Sequence, residues 1–209
     1  MALAFLALIL SYLLGAIPNG YIMGKLKGLD IRKHGSGNIG FTNVLRVMGT
    51  LPGAVVLVAD VGKGLLSVLL ISRLGTIQPN PLSPYMPVLC GGLAMIGHVW
   101  PVYLKFRGGK GVASSLGIFF ALYWPGGLAS LIVWFIIVGI TRYVSLGSLL
   151  LCLTFLISTF LRGGEYIWGI RIMAIVINII VIFRHKGNIQ RLINGTERKF
   201  GKREKPEAA

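Results

Sequence analysis

The chain has 209 residues, of which 55% are hydrophobic and only 13% charged, yet 21 Lys or Arg against 6 Asp or Glu give it a formal net charge of +15. A soluble domain carries about 25% charged residues and a disordered chain is poor in Leu, Ile, Val and Phe, so composition excludes both. What remains is an all-α integral membrane protein with a mean hydropathy of +0.77, whose basic excess means nucleic acid only in a soluble chain; no nucleic-acid partner is expected.

A span takes about 20 mostly apolar residues. Residues 2–23 fit and carry no charge or basic lead, which predicts an uncleaved first span rather than a signal peptide. Residues 51–72 fit while holding Asp60 and Lys63. These stand at i, i+3 and are expected to pair on one helix face, as a structural ion pair or in support of a site. Residues 86–104 fit, with His98 near the end. Residues 112–141 are too long for one straight span and are interrupted at Trp124-Pro125-Gly126-Gly127. Residues 144–161 and 166–183 complete the set, the last with Arg171 inside. Cys90 and Cys152 lie in apolar runs, form no CxxC, and read as small buried hydrophobes. The near-absence of acidic ligands predicts no metal, and no cofactor is expected.

Cytoplasmic loops collect Lys and Arg. The first loop has Lys25, Lys27, Arg32, Lys33 and Arg46, while residues 73–85 have Arg73 alone. The third loop has Lys105, Arg107 and Lys110, and the stretch from Arg184 onward has eight cations. The amino terminus is therefore expected outside, and the carboxyl terminus in the cytoplasm. Residues 112–183 then start and end on one side and must cross an even number of times, so 112–141 supplies two crossings and the total is seven. The first of that pair, residues 112–123, is about 18 Å long at 1.5 Å per residue. It is short of the roughly 30 Å core, which is tolerated only where its ends are buried in protein or face a wet cavity. One polytopic domain over residues 1–201 is expected, with 202–209 a charged, disordered tail.

The loops predicted to face the cytoplasm carry the chemistry. Residues 35–43 read Gly-Ser-Gly-Asn-Ile-Gly-Phe-Thr-Asn. Glycines permit positive φ, successive N–H groups form an anion nest, and Ser36, Asn38, Thr42 and Asn43 add donors beside Arg46. The P-loop pattern is rejected, because Phe41 stands where that pattern needs Lys. Residues 105–111, Lys-Phe-Arg-Gly-Gly-Lys-Gly, open the short helix, and a helix start favours anions. His185-Lys186-Gly187-Asn188-Ile189-Gln190-Arg191 follows the last span, and Arg142-Tyr143-Val144-Ser145 forms a fourth, shorter loop. Many cations with almost no carboxylate suit a phosphate substrate. A carrier for phosphate or a phosphorylated small molecule would use the same cations, but would show repeated halves and a site at the midplane. A module for anionic headgroups would not need the Gly/Asn loop.

Taken together, residues 35–43, 105–114 and 185–197, with Asp60-Val61-Gly62-Lys63-Gly64 and residues 141–148, resemble the bacterial acyl-phosphate:glycerol-3-phosphate acyltransferase family over nearly the whole chain. Two places depart from its pattern. Phe41 stands where the family has Ala, and Lys186-Gly187 stand where it has Arg-Glu. The resemblance implies a multi-pass enzyme of the bacterial inner membrane with its active site on the cytoplasmic side. It implies acyl phosphate as donor, glycerol 3-phosphate as acceptor, and lysophosphatidic acid and phosphate as products. On that reading Ser36, Arg46, Lys105, Ser145 and His185, with Asn188, hold the acceptor phosphate. Asn38, Thr42, Asn43 and the backbone of Gly108, Gly109, Lys110 and Gly111 hold the donor phosphate and the developing oxyanion. Arg142 and Arg191 complete the substrate-binding set. His185 is a candidate general base, but among so many cations the acceptor's own phosphate is the favoured proton acceptor, with His185 as a binder.

Overall fold

The computed structural model describes residues 1–164 and 167–201, and among these every regular element is helical. Tyr166 at the start of the last expected span and the expected tail 202–209 lie outside the described residues. The first apolar stretch is not one helix. α1 (Ala2–Ala16) and α2 (Asn19–Leu26) meet at a 42° bend. Pro18 causes it, since proline lacks the N–H that would continue the ladder and clashes with the preceding turn. α3 (Phe41–Met48) is short and leads into α4 (Thr50–Leu66). A π-helical turn (Ser67–Ile71) joins α4 to α5 (Ser72–Leu74), giving one apolar helix over Thr50–Leu74. α6 (Met86–Val99) is followed by α7 (Val112–Leu122) and α8 (Trp124–Thr141). The break at Tyr123 falls at the Trp-Pro-Gly-Gly interruption. α9 (Val144–Phe160), α10 (Ile167–Arg184) and α11 (Lys186–Ile193) complete the chain.

The helices approach closely where side chains are absent, as membrane helix pairs do. A Cβ on Gly15 would stand 2.1 Å from the Ala94 oxygen, which locks α1 against α6. Cβ atoms on Gly64 and Gly117 would meet the Ser114 and Val61 oxygens at 2.1 and 2.0 Å, so α4 lies directly on α7. The half-length α7 is thereby enclosed: Ser114, Ser115, Leu116, Gly117, Ile118 and Phe119 are all buried. Phe119 stacks on Phe155 of α9 with ring centroids 3.7 Å apart. Large apolar side chains such as Ile136, Ile140, Trp168, Ile172 and Ile179 face outward, as lipid-facing surfaces require.

The broken first helix is repaired by its neighbour. The Lys63 ammonium donates to the Ile17 carbonyl at 3.0 Å, and the Asn19 amide donates to Asp60 Oδ1 at 2.9 Å. Lys63 and Asp60 also pair directly at 2.9 Å, both almost fully buried. The i, i+3 pair thus satisfies backbone and side-chain groups freed by the Pro18 bend.

Candidate active site

Residues 35–43 fold as a loop wrapped around one side chain. Asn43, only 2% exposed, accepts the Ser36 N–H on its Oδ1 at 2.8 Å. Its amide donates to the carbonyls of Ile31, His34 and Asn38 at 3.3, 3.0 and 2.9 Å. Gly35 and Gly37 take φ of 59° and 71°, conformations that favour glycine. Asn38 Oδ1 accepts the Gly40 N–H at 2.8 Å, turning the chain into α3. Asn43 was expected to hold substrate; its amide is committed within the loop, so it sets the loop's shape.

At the end of α6, the N–H groups of Gly108 and Gly109 donate to Val99 O and His98 O, each at 3.1 Å. Lys105 and Phe106 sit at φ of 52° and 61°, which throws Lys105 outward, where it is exposed. Lys110 turns inward, and its ammonium donates to Asn188 Oδ1. His185 caps α11, with its Nδ1 2.8 Å from the Val181 carbonyl. A carbonyl only accepts, so Nδ1 carries the proton and Nε2 is left as the acceptor of the neutral ring. After α11 the chain turns at Gly195 (φ 68°) and comes back. Glu197 then accepts from Asn188 Nδ2 at 2.7 Å and from Arg191 Nε at 2.8 Å. The Phe200 N–H donates to Arg142 O at 2.7 Å, pinning this return to the α8–α9 turn.

These segments enclose one cavity of about 190 Å³. Of the residues singled out from sequence, Ser36, Asn38, Thr42, Asn43, Arg46, Lys110, Gly111, Ser145, His185, Asn188 and Arg191 line it. Lys105, Gly108, Gly109 and Arg142 do not. Arg142 is exposed at the αL end of α8 (φ 62°), and the two glycines pack against His98. The wall also includes groups the sequence did not assign to it: Asp60, His98, Ser148, Glu197 and Arg198, together with Phe41. A wall almost free of carboxylates was expected, yet Asp60 and Glu197 both border the cavity. Each is already bound to a cation, Lys63 or Arg191, so neither stands as a ready base. The same wall carries the apolar side chains of Leu57, Leu116, Leu131, Trp134, Phe135 and Leu151.

The electrostatics follow from crowding. Burial drives His185 down to about 4, with Lys110 nearby adding to it, so the ring is neutral at neutral pH. Burial raises Glu197, but hydrogen bonds from Asn188 and Arg191 outweigh it and hold the carboxyl below its usual range. Burial lowers Lys110 to about 8, partly opposed by Glu197 and reinforced by Arg191, Arg184 and Arg46. A charged ammonium attracts phosphate and a neutral amine does not, so phosphate affinity falls as pH rises through about 8. Titration calorimetry with inorganic phosphate should show weaker binding at pH 9.5 than at pH 7 (about these values), and Lys110→Arg should flatten that limb because arginine stays charged.

A family profile described as glycerol-3-phosphate acyltransferase matches residues 5–195. The chain belongs to the glycerol-3-phosphate acyltransferase family. Among the family's curated members, the glycerol-3-phosphate acyltransferase of Synechococcus sp. (strain CC9902) is 42% identical over 203 residues, 97% of this chain and 98% of that protein. That of Trichlorobacter lovleyi is 44% identical over 190 residues, 91% of this chain and 94% of the relative. The fold matches the crystal structure of PlsY (YgiH), an integral membrane glycerol 3-phosphate acyltransferase, in its glycerol 3-phosphate form. The TM-score is 0.86 at 38% identity, over 95% of this chain and 96% of that one. The lysophosphatidic acid form of PlsY matches with a TM-score of 0.83.

Proposed function

We propose that this acyltransferase moves an acyl chain from acyl phosphate to glycerol 3-phosphate, releasing lysophosphatidic acid and phosphate. The observation that carries the reading is the double character of the cavity wall. Arg46, Lys110 and Arg191 come from the short segments between and after the long helices, and both arginines act on Lys110 electrostatically, while Leu131, Trp134, Phe135 and Leu151 come from within α8 and α9. A phosphate fits the first and an acyl chain the second. Family membership and the substrate and product forms of PlsY support the same reaction.

The proposed topology has seven crossings: the bent α1–α2 pair, Thr50–Leu74, α6, α7, α8, α9 and α10. The amino terminus is outside and the cavity faces the cytoplasm of a bacterial inner membrane. The basic loops that line the cavity support that orientation.

In the proposed reaction the acceptor's free hydroxyl attacks the acyl carbonyl carbon, and the bond from that carbon to the phosphate oxygen breaks. Phosphate leaves readily, so alignment and charge stabilisation supply most of the acceleration. Arg46 and Lys110, with the donors of Ser36, Ser145 and Asn188, hold the two phosphates against their mutual repulsion. The hydroxyl proton passes to the acceptor's own phosphate. A His185 ring pushed down to about 4 is a weak base, and both cavity carboxylates are paired with cations, which favours this route. The neutral ring's Nε2 accepts a hydrogen bond from the hydroxyl or the protonated phosphate.

Purified protein in detergent, given acyl phosphate and glycerol 3-phosphate, should release phosphate and form lysophosphatidic acid, and acyl-CoA should not replace the donor. Phosphate flux across liposomes without acyl transfer would instead mark a carrier. His185→Gln keeps a hydrogen-bonding side chain and removes the base. We expect it to raise the acceptor KM by about tenfold while kcat falls by less, as loss of one binding contact does. Lost turnover with acceptor binding intact would make His185 the base.

A further inference from the structure

The segment from residue 105 to 111 has to hold Lys110 toward the cavity with neither helix nor strand to shape it. Its backbone is fixed from two sides. On the first, the Gly109 N–H donates to the His98 carbonyl at 3.1 Å, and the His98 ring backs the same residue. A Cβ on Gly109 would stand 2.1 Å from His98 Nε2. The other ring nitrogen faces Asp60, with Nδ1 3.6 Å from Oδ1. Asp60 is itself held by Asn19 and Lys63, each at 2.9 Å.

On the second side, one guanidinium bridges two consecutive carbonyls. Arg184, at the end of α10, donates from Nη2 to Gly108 O at 2.8 Å and from Nε to Gly109 O at 3.2 Å. The peptide after Gly109 is trans, so the Lys110 N–H points away from Arg184. A fork of this geometry fixes two peptide planes at once, which a lysine does not reproduce.

We propose that His98 and Arg184 are positioning residues that clamp Gly108 and Gly109 from opposite sides and so place Lys110 for a phosphate. An Asp–His pair at a cavity wall invites a general-base role. Here the nitrogen that would take the proton, Nε2, is covered by Gly109. The proposal rests on the preceding reading only in that the segment holds a phosphate.

The experiment measures three quantities on the purified, detergent-solubilised chain: the Kd for inorganic phosphate, the KM and kcat for acyl transfer, and the thermal unfolding midpoint. Arg184→Lys and His98→Ala should each raise the phosphate Kd by about tenfold or more, and the KM for a phosphate substrate with it, while kcat changes by less than about threefold. Gly109→Ala should cost about tenfold in the parent and less than threefold on a His98→Ala background, because the obstructing ring is gone. Unchanged Kd and KM with a lowered midpoint or active fraction would overturn the clamp, as would Gly109→Ala costing the same in both backgrounds. If His98→Ala fails to fold, Arg184→Lys at the helix end decides by the same criterion. A parent that binds phosphate without turnover defeats the acyltransfer reading alone, and the Kd comparison still decides the clamp. A parent that binds no phosphate overturns the clamp itself.

Discussion

Lys110→Met should lower kcat/KM for acyl transfer by about a hundred- to a thousandfold, the usual cost of losing one preorganised donor at a developing charge. Lys105→Met should change it by less than about threefold, as loss of an exposed cation does. The two residues lie five apart in one basic run, and the sequence alone favours Lys105 as the one that holds the acceptor phosphate. The fold separates them. Lys105 takes a left-handed conformation and stands in solvent, outside the cavity. Lys110 lines the cavity, donates to Asn188, and lies within the field of Arg46, Arg184 and Arg191. Steady-state kinetics on both variants checks this directly. A crippled Lys105→Met beside a healthy Lys110→Met would mean that the segment lies the other way round in the working enzyme.

Lys63→Met should destabilise the protein by about 3–5 kcal/mol, because removing one partner of a buried ion pair leaves the other charge uncompensated. Asp60 is 2% exposed and would keep only Asn19 and His98. The Ile17 carbonyl would lose one of its two donors as well, keeping the Asn19 N–H. Asp60→Asn combined with Lys63→Met removes both charges and should recover at least half of the loss, since a neutral pair carries no desolvation penalty. Denaturant titration in mixed micelles would report both numbers. A single variant that costs less than about 1 kcal/mol would show that water or lipid headgroups already reach the pair.

Much of this architecture was legible in the sequence, for definite reasons. Apolar runs are long-range averages, and they located the helices to within a few residues. The interruption at residues 124–127 marked the end of the half-length α7, because Pro125 is at home only in the first turn of a helix and so puts the break just before it, at Tyr123. The bend after α1 was not read, since counting apolar residues is blind to the single N–H missing at Pro18. Asp60 and Lys63 could be paired from their spacing. Nothing in the spacing showed that His98 would join them from another helix. The basic run 105–111 has no periodicity, so only the φ angles of Lys105, Phe106 and Gly111 decide which cation turns inward. Glu197 meets Arg191 through a turn at Gly195, and a charged stretch after the last helix gives no sign of folding back. That return also bears on the Lys186-Gly187 departure. An acid is missing at 187, and Arg191 is oriented by Glu197 instead.

The repair of the Pro18 bend has a consequence for biosynthesis. When α1 enters the bilayer, the Ile17 carbonyl has only the Asn19 N–H, at 3.1 Å, as a donor until Lys63 arrives on the next apolar helix. That helix in turn carries two charges, each costing about 3 kcal/mol at the centre of an inserting segment. Neither segment is at ease in lipid by itself, and each supplies what the other lacks. The two should therefore leave the insertion machinery as a hairpin, and a ribosome stalled between them should leave α1 open to extraction from the membrane.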